Sequence, residues 1–138
     1  MSKSPNRLLG IAFGILFVVA GVYGFFITSS TGFFSTTGPK LLELFATNPL
    51  HSLSYVVLGA ALLITGLSGP RAARGANTII GAVFLLVGVV GLFLVRGGNP
   101  LNILALNGAD NVLHFATAVV LLVVGIGADR TVHAPKTA

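Results

Sequence analysis

His51 and His114 are the side chains best able to do chemistry in this sequence, since each lies in a long apolar run without a charged residue. Holding an ionisable group in hydrocarbon is costly, so such a group marks a proton, ligand or structural site. Each histidine closes the same short element, Asn48-x-Leu50-His51 and Asn111-x-Leu113-His114, and a hydroxyl follows three residues later, Ser54 or Thr117. That spacing puts hydroxyl and imidazole on one helix face. Two readings follow. In the structural one, Asn48 and Asn111 are N-caps, and each histidine at N3 accepts the cap's peptide N–H through a neutral ring. Ser54 and Thr117 then bond their own helix at i−4. In the ligand reading, His51 and His114 are paired axial ligands of a haem b, with Lys40 and Arg96 meeting its propionates.

The other polar residues add little chemistry. Asp110 precedes Asn111 and suits the positive end of a helix dipole. Pairing of Glu43 with Lys40 on a surface is worth at most about 1 kcal/mol. Tyr55 lies one turn from His51, but its counterpart in the second element is Ala118. The sequence holds no carboxylate pair, Ser/His/Asp order, phosphate loop, metal-ligand cluster or cysteine. The expectation is a protein that is not an enzyme and carries neither metal nor cofactor, with haem b as the alternative.

These residues must be positioned by elements suited to lipid. Of 138 residues, 54% are hydrophobic and only 8% charged, with a mean hydropathy of +0.97; a soluble domain carries about a quarter charged residues. The net charge of +5 does not indicate nucleic acid, because the bases are spread along the chain. Four uncharged runs, 8–27, 50–67, 78–95 and 112–128, each match the roughly 17 to 25 residues that cross a bilayer as a helix. Their continuous apolar character lacks the period-2 alternation of barrel strands. The first is longer than a cleavable signal core of about 7 to 15 residues and reads as a retained helix.

Lys3, Arg7, Arg71, Arg74, Arg130 and Lys136 fall on one side of this scheme, Lys40 and Arg96 on the other. The positive-inside rule then puts both termini and the turn at Gly69–Gly75 in the cytoplasm, in a multi-pass plasma-membrane protein. Loops 28–49 and 96–111 face outward, and 129–138 forms a polar cytoplasmic tail. Gly69-Pro70 stops the second helix, Gly97-Gly98 ends the third, and Asn77 is a candidate N-cap for the third. Phe25, Phe26, Phe33 and Phe34 read as anchors at the outer interface.

The two histidine elements belong to an internal match: six of eleven positions coincide between 48–58 and 111–121. Upstream, 38–46 resembles 98–106, and both read as short interfacial helices. The fold expected is an all-α integral membrane bundle of four transmembrane helices in one domain, built from two tandem two-helix repeats. Parallel repeats would set His51 and His114 at one depth. Gly10, Gly14, Ala20, Gly24, Gly81, Gly88 and Gly91 are candidate helix contacts.

From Leu8 to about Ala128, and most clearly at Asn107-Gly108-Ala109-Asp110-Asn111-Val112-Leu113-His114, the chain resembles a family of small bacterial four-helix membrane proteins, domain of unknown function 4383. The resemblance implies an extracytoplasmic outer face and assigns no catalytic residue. The function expected is that of a structural or accessory subunit in contact with membrane lipids, packing with itself or a larger membrane complex and not with nucleic acid. A haem-binding electron-transfer protein and a small-solute or ion carrier are the alternatives.

Overall fold

The protein was analysed as a computed structural model that describes residues 3–130; Lys136 and most of the expected tail lie outside them. The element order is α1 (Pro5–Ile27), β1 (Lys40–Leu41), β2 (Phe45–Ala46), α2 (Pro49–Ser68), α3 (Pro70–Leu94) and α4 (Gly108–Gly127). All four helices are long and apolar enough to cross a membrane. The chain is a multi-pass, four-helix membrane bundle.

Local chemistry sets where each helix starts. Ser4 caps α1, its Oγ accepting the Arg7 N–H at 3.2 Å, with Pro5 in the first turn. Asn48 caps α2, its Oδ1 accepting the His51 N–H at 2.8 Å ahead of Pro49. Proline suits these positions because the first amides of a helix have no intrahelical acceptor.

Two expected boundaries move. α3 starts at Pro70 rather than at residue 78, and Gly69 alone joins it to α2. Hydropathy marks the lipid-embedded part of a helix, and α3 extends past it to place Arg71 and Arg74 at the bundle end. Asn77 is therefore not an N-cap; it is buried within α3. The cap of α4 is Asn107, not Asn111. Asn107 Oδ1 accepts the Asp110 N–H and Asp110 Oδ2 accepts the Asn107 N–H, both at 2.9 Å, a reciprocal capping box.

The segments 38–46 and 98–106 are not helices. The first is a tight antiparallel hairpin pairing Lys40 with Ala46 and Leu41 with Phe45, turned by left-handed Leu42 and Glu43. Positive φ at both central residues matches the right-handed twist of the strands. The second is a run of turns in which Asn102 binds both the N–H and the C=O of Leu106 at 2.9 Å. Asparagine side chains offer the backbone an alternative to the helical ladder.

The helices pack most extensively as the pairs α1–α2 and α3–α4, with backbones in close approach at glycine. A Cβ on Gly14 would stand 2.6 Å from the Leu63 N and 2.8 Å from the Gly59 O, and one on Gly81 2.9 Å from Leu122. Of the candidate glycines, Gly10, Gly14 and Gly24 face α2, whereas Gly81, Gly88 and Gly91 face α4. Between the pairs lies a core of Phe17, Tyr55, Leu62, Ile80, Phe84, Ala118 and Leu121. Phe17 stacks on Tyr55 and on Phe84, with centroids 5.3 and 5.2 Å apart.

Candidate functional site

The first turns of α2 and α4 converge at the end of this core that carries the loops 28–48 and 95–107. His51 and His114 each expose only 2% of their surface, and their ring centroids are 5.7 Å apart in an edge-on arrangement. Tyr55 lies against His51 at 4.5 Å, and Phe84 against His114 at 5.6 Å. Tyr55 Oη is 3.5 Å from His114 Nε2, the far limit of a hydrogen bond. The two histidines meet, though not in the related positions that the sequence match predicts, and Tyr55 is a third partner.

The local reading of these residues holds only in part. Asn48 is the α2 cap and also ties these two loops together, its Nδ2 donating to Ser35 O at 2.7 Å and Ile103 O at 2.6 Å. Ser54 donates to Leu50 O at 2.9 Å, the expected i−4 bond. The Thr117 hydroxyl makes no such bond. His51 does not complete a capping box: neither ring nitrogen is within hydrogen-bond geometry of a partner, although the carbonyls of Ala46 and Leu104 lie beside the ring, and Nδ1 of His114 is likewise unpaired. Asp110 is fully buried, its Oδ2 in the Asn107 box and its Oδ1 unpaired. Asn111 is buried in the α4 interior beneath Gly91, its Oδ1 unpaired. Buried polar atoms are rarely left without a partner, so such a concentration calls for an explanation.

Cap positions also correct the pairing of the histidines. Counted from its cap, His51 is at N3, the position Asp110 holds in α4. His114 is one turn deeper, where α2 has Tyr55. The α2–α4 correspondence runs from Asn48 to Asn107, an offset of 59 residues, and not from Asn48 to Asn111. Contacts farther along agree. Arg7 Nε donates to Gly66 O at 2.9 Å, and Arg74 Nε to Gly125 O at 3.0 Å. α1 and α3 share a stronger pattern, Arg7, Gly14, Phe17, Gly21, Val22, Gly24 and Phe26 recurring as Arg74, Gly81, Phe84, Gly88, Val89, Gly91 and Phe93. The constant offset of 67 was the signal for the missing partners, hidden because small and aromatic residues are common in apolar runs.

At the opposite end a second polar cluster joins the start of α1 to the segment just past α4. Asp129 Oδ2 accepts from Ser4 Oγ at 2.6 Å, Asn6 N at 3.0 Å and Asn6 Nδ2 at 2.9 Å. Asn77 Nδ2 donates to Asn6 O at 3.0 Å and Oδ1 at 2.9 Å. Desolvation raises the Asp129 pKa, but the hydrogen bonds from Ser4 and Asn6, with the Arg74 charge, outweigh it and hold the carboxyl below its usual range. The sequence reading missed this cluster because its residues lie outside or at the edges of the apolar runs.

Fold and site together define a multi-pass helical membrane protein with a buried polar cluster near one end of the bundle. Among the described residues no group of three or more histidines or acids is arranged to hold a metal ion. The chain belongs to the family described as Domain of unknown function (DUF4383), whose profile matches residues 7–127. No curated protein and no solved structure matches it.

Proposed function

We propose that the protein is a non-enzymatic structural or accessory subunit of the plasma membrane that packs against itself or a larger membrane complex. The observation that carries this reading is the surface of the outer cap. Leu42 at the hairpin tip is 84% exposed and Leu101 72%, with Phe33, Phe34, Leu44 and Ile103 exposed as well. Exposed apolar side chains gathered in the loop segments between the helices are read here as an interaction surface. Lys3, Arg7, Arg71, Arg74 and Arg130 at one end against Lys40 and Arg96 at the other support cytoplasmic termini. The matched Arg7 and Arg74 clamps and shared helix pattern support descent of the two helix pairs from one repeated unit.

Because the chain has no cysteine, Leu42→Cys and Leu101→Cys each introduce one thiol. Crosslinking these variants in native membranes is expected to yield an adduct with a second copy or another membrane protein. A chain that stays uncrosslinked at both positions and purifies as a lone monomer in mild detergent overturns the reading.

The haem alternative has one observation in its favour, the proximity of His51 and His114. A porphyrin would have to separate rings that now meet edge-on, beside a cavity of about 120 Å³. A Soret band in the purified protein supports this alternative, and a featureless visible spectrum ends it. The carrier alternative has least support, since the helices run without the mid-span breaks such proteins use.

A further inference from the structure

The core meets the bilayer at two lateral crevices in corresponding places. One lies on the α1–α4 side, beneath the hairpin, where Leu16, Phe17, Ala20 and Leu113 surround about 290 Å³ of almost wholly apolar space. The other lies between α2 and α3, where Val83, Phe84, Val87 and Ser54 take the same positions at the offsets of 67 and 59, around about 120 Å³. They differ in what they reach. The α1–α4 crevice reaches Tyr55 but neither histidine, whereas the α2–α3 crevice also reaches His51 and His114.

We propose that the α2–α3 crevice binds the single-ring head of a membrane-soluble quinone or quinol. Three features select that chemistry. Leu104 of the outer turns lines the crevice and half-exposed side chains of α2 and α3 form its walls, so a ligand enters from lipid and must dissolve there. The aromatic faces of Tyr55 and Phe84 and the two imidazoles favour a flat ring. Nδ1 and Nε2 of His51 and Nδ1 of His114 are buried and outside hydrogen-bond geometry with any partner, with the Ala46 and Leu104 carbonyls lying beside the His51 ring, and a neutral imidazole offers one N–H and one lone pair. A quinone carbonyl accepts that N–H, and a quinol hydroxyl donates to that lone pair. Binding would therefore pair groups that are otherwise costly to bury. The space suits one ring and not a macrocycle. The inference concerns binding alone and is independent of the subunit reading.

The test uses the full chain in lipid nanodiscs with 15N-labelled histidine, titrated with a decyl-substituted 1,4-benzoquinone and with its quinol. Signals are assigned with His51→Gln and His114→Gln. The expected result is a saturable shift of the His51 or His114 ring nitrogens. That shift should need at least tenfold more ligand in Val87→Phe or Val83→Phe, two independent plugs of the exposed wall, of which the one retaining wild-type helicity decides. Ala20→Phe, which fills the α1–α4 crevice, should leave it unchanged. No saturable shift with either ligand overturns the proposal. So does an equal shift in the plugged variants, or the same shift from decane, which would show partition into lipid or simple cavity filling.

Discussion

Polar side chains divide here between those that start helices and those left unpaired in the core. Asn107 satisfies two backbone groups through its box with Asp110, whereas Asn111, in the cap-like sequence position, has an unpaired Oδ1. Losing an N-cap costs about 1 kcal/mol, whereas removing a buried polar group that lacks a partner can be nearly neutral. Thermal unfolding in detergent should show Asn107→Ala destabilised by about that amount and Asn111→Ala by less than half of it. The reverse order would return the cap to Asn111. Asn48→Ala should cost more than either, roughly 2 to 3 kcal/mol, because the cap is lost along with the bonds to Ser35 and Ile103. The type of each polar residue was legible in the sequence, but its partner was not. Asn-x-Leu-His reads alike in both copies, yet the first copy starts a helix and the second lies one turn inside one.

At the scale of elements, close helix approach rests on glycines that have no room for a methyl group. Gly14→Ala would drive a Cβ into the Leu63 and Gly59 backbone, which cannot rotate away as a side chain can, so α1 must separate from α2. Overpacking of this kind costs typically 1 to 3 kcal/mol. Gly75 in α3 has nothing within 4 Å of its missing Cβ, and Gly75→Ala should stabilise by roughly 0.5 to 1 kcal/mol through helix propensity. Chemical unfolding of the two variants checks both signs, and equal effects would mean that the glycines do not set the helix spacing. The spans were legible because about 20 apolar residues are an unambiguous signal. Segment 38–46 is a hairpin and not the expected helix, because two left-handed residues at Leu42 and Glu43 leave no mark in a hydropathy pattern.

For the whole molecule, the polar cluster at the end expected to be cytoplasmic ties the start of α1 to Asp129, two residues past α4. Asp129 sits in the left-handed region at φ 53°, just past the C-cap of α4, turning its carboxylate to Ser4 and Asn6. A carboxyl held below its usual range stabilises the fold fully above the unfolded value of about 3.9, and that contribution is lost as pH falls through the lower folded value. Stability measured between pH 6 and pH 2 should therefore decline at the acid end in the wild type. Asp129→Ala should lack that component, being less stable at pH 6 and converging on the wild type in acid. A constant difference across the range would remove Asp129 as the titrating group.

Composition and run length alone determined that this chain lives in lipid, crosses it four times and buries two histidines near one face, because hydrocarbon thickness and the cost of buried charge act on sequence averages. Which residues stand opposite one another was decided only by tertiary structure. Hydrophobicity summed along a run carries no helical phase. The phase of α4 was set by a reciprocal pair of hydrogen bonds at Asn107 and Asp110, and its packing against α3 by glycines that admit one close approach. That single turn of register made His114, rather than Ala118, the counterpart of Tyr55 and left the two imidazoles lining the crevice between α2 and α3.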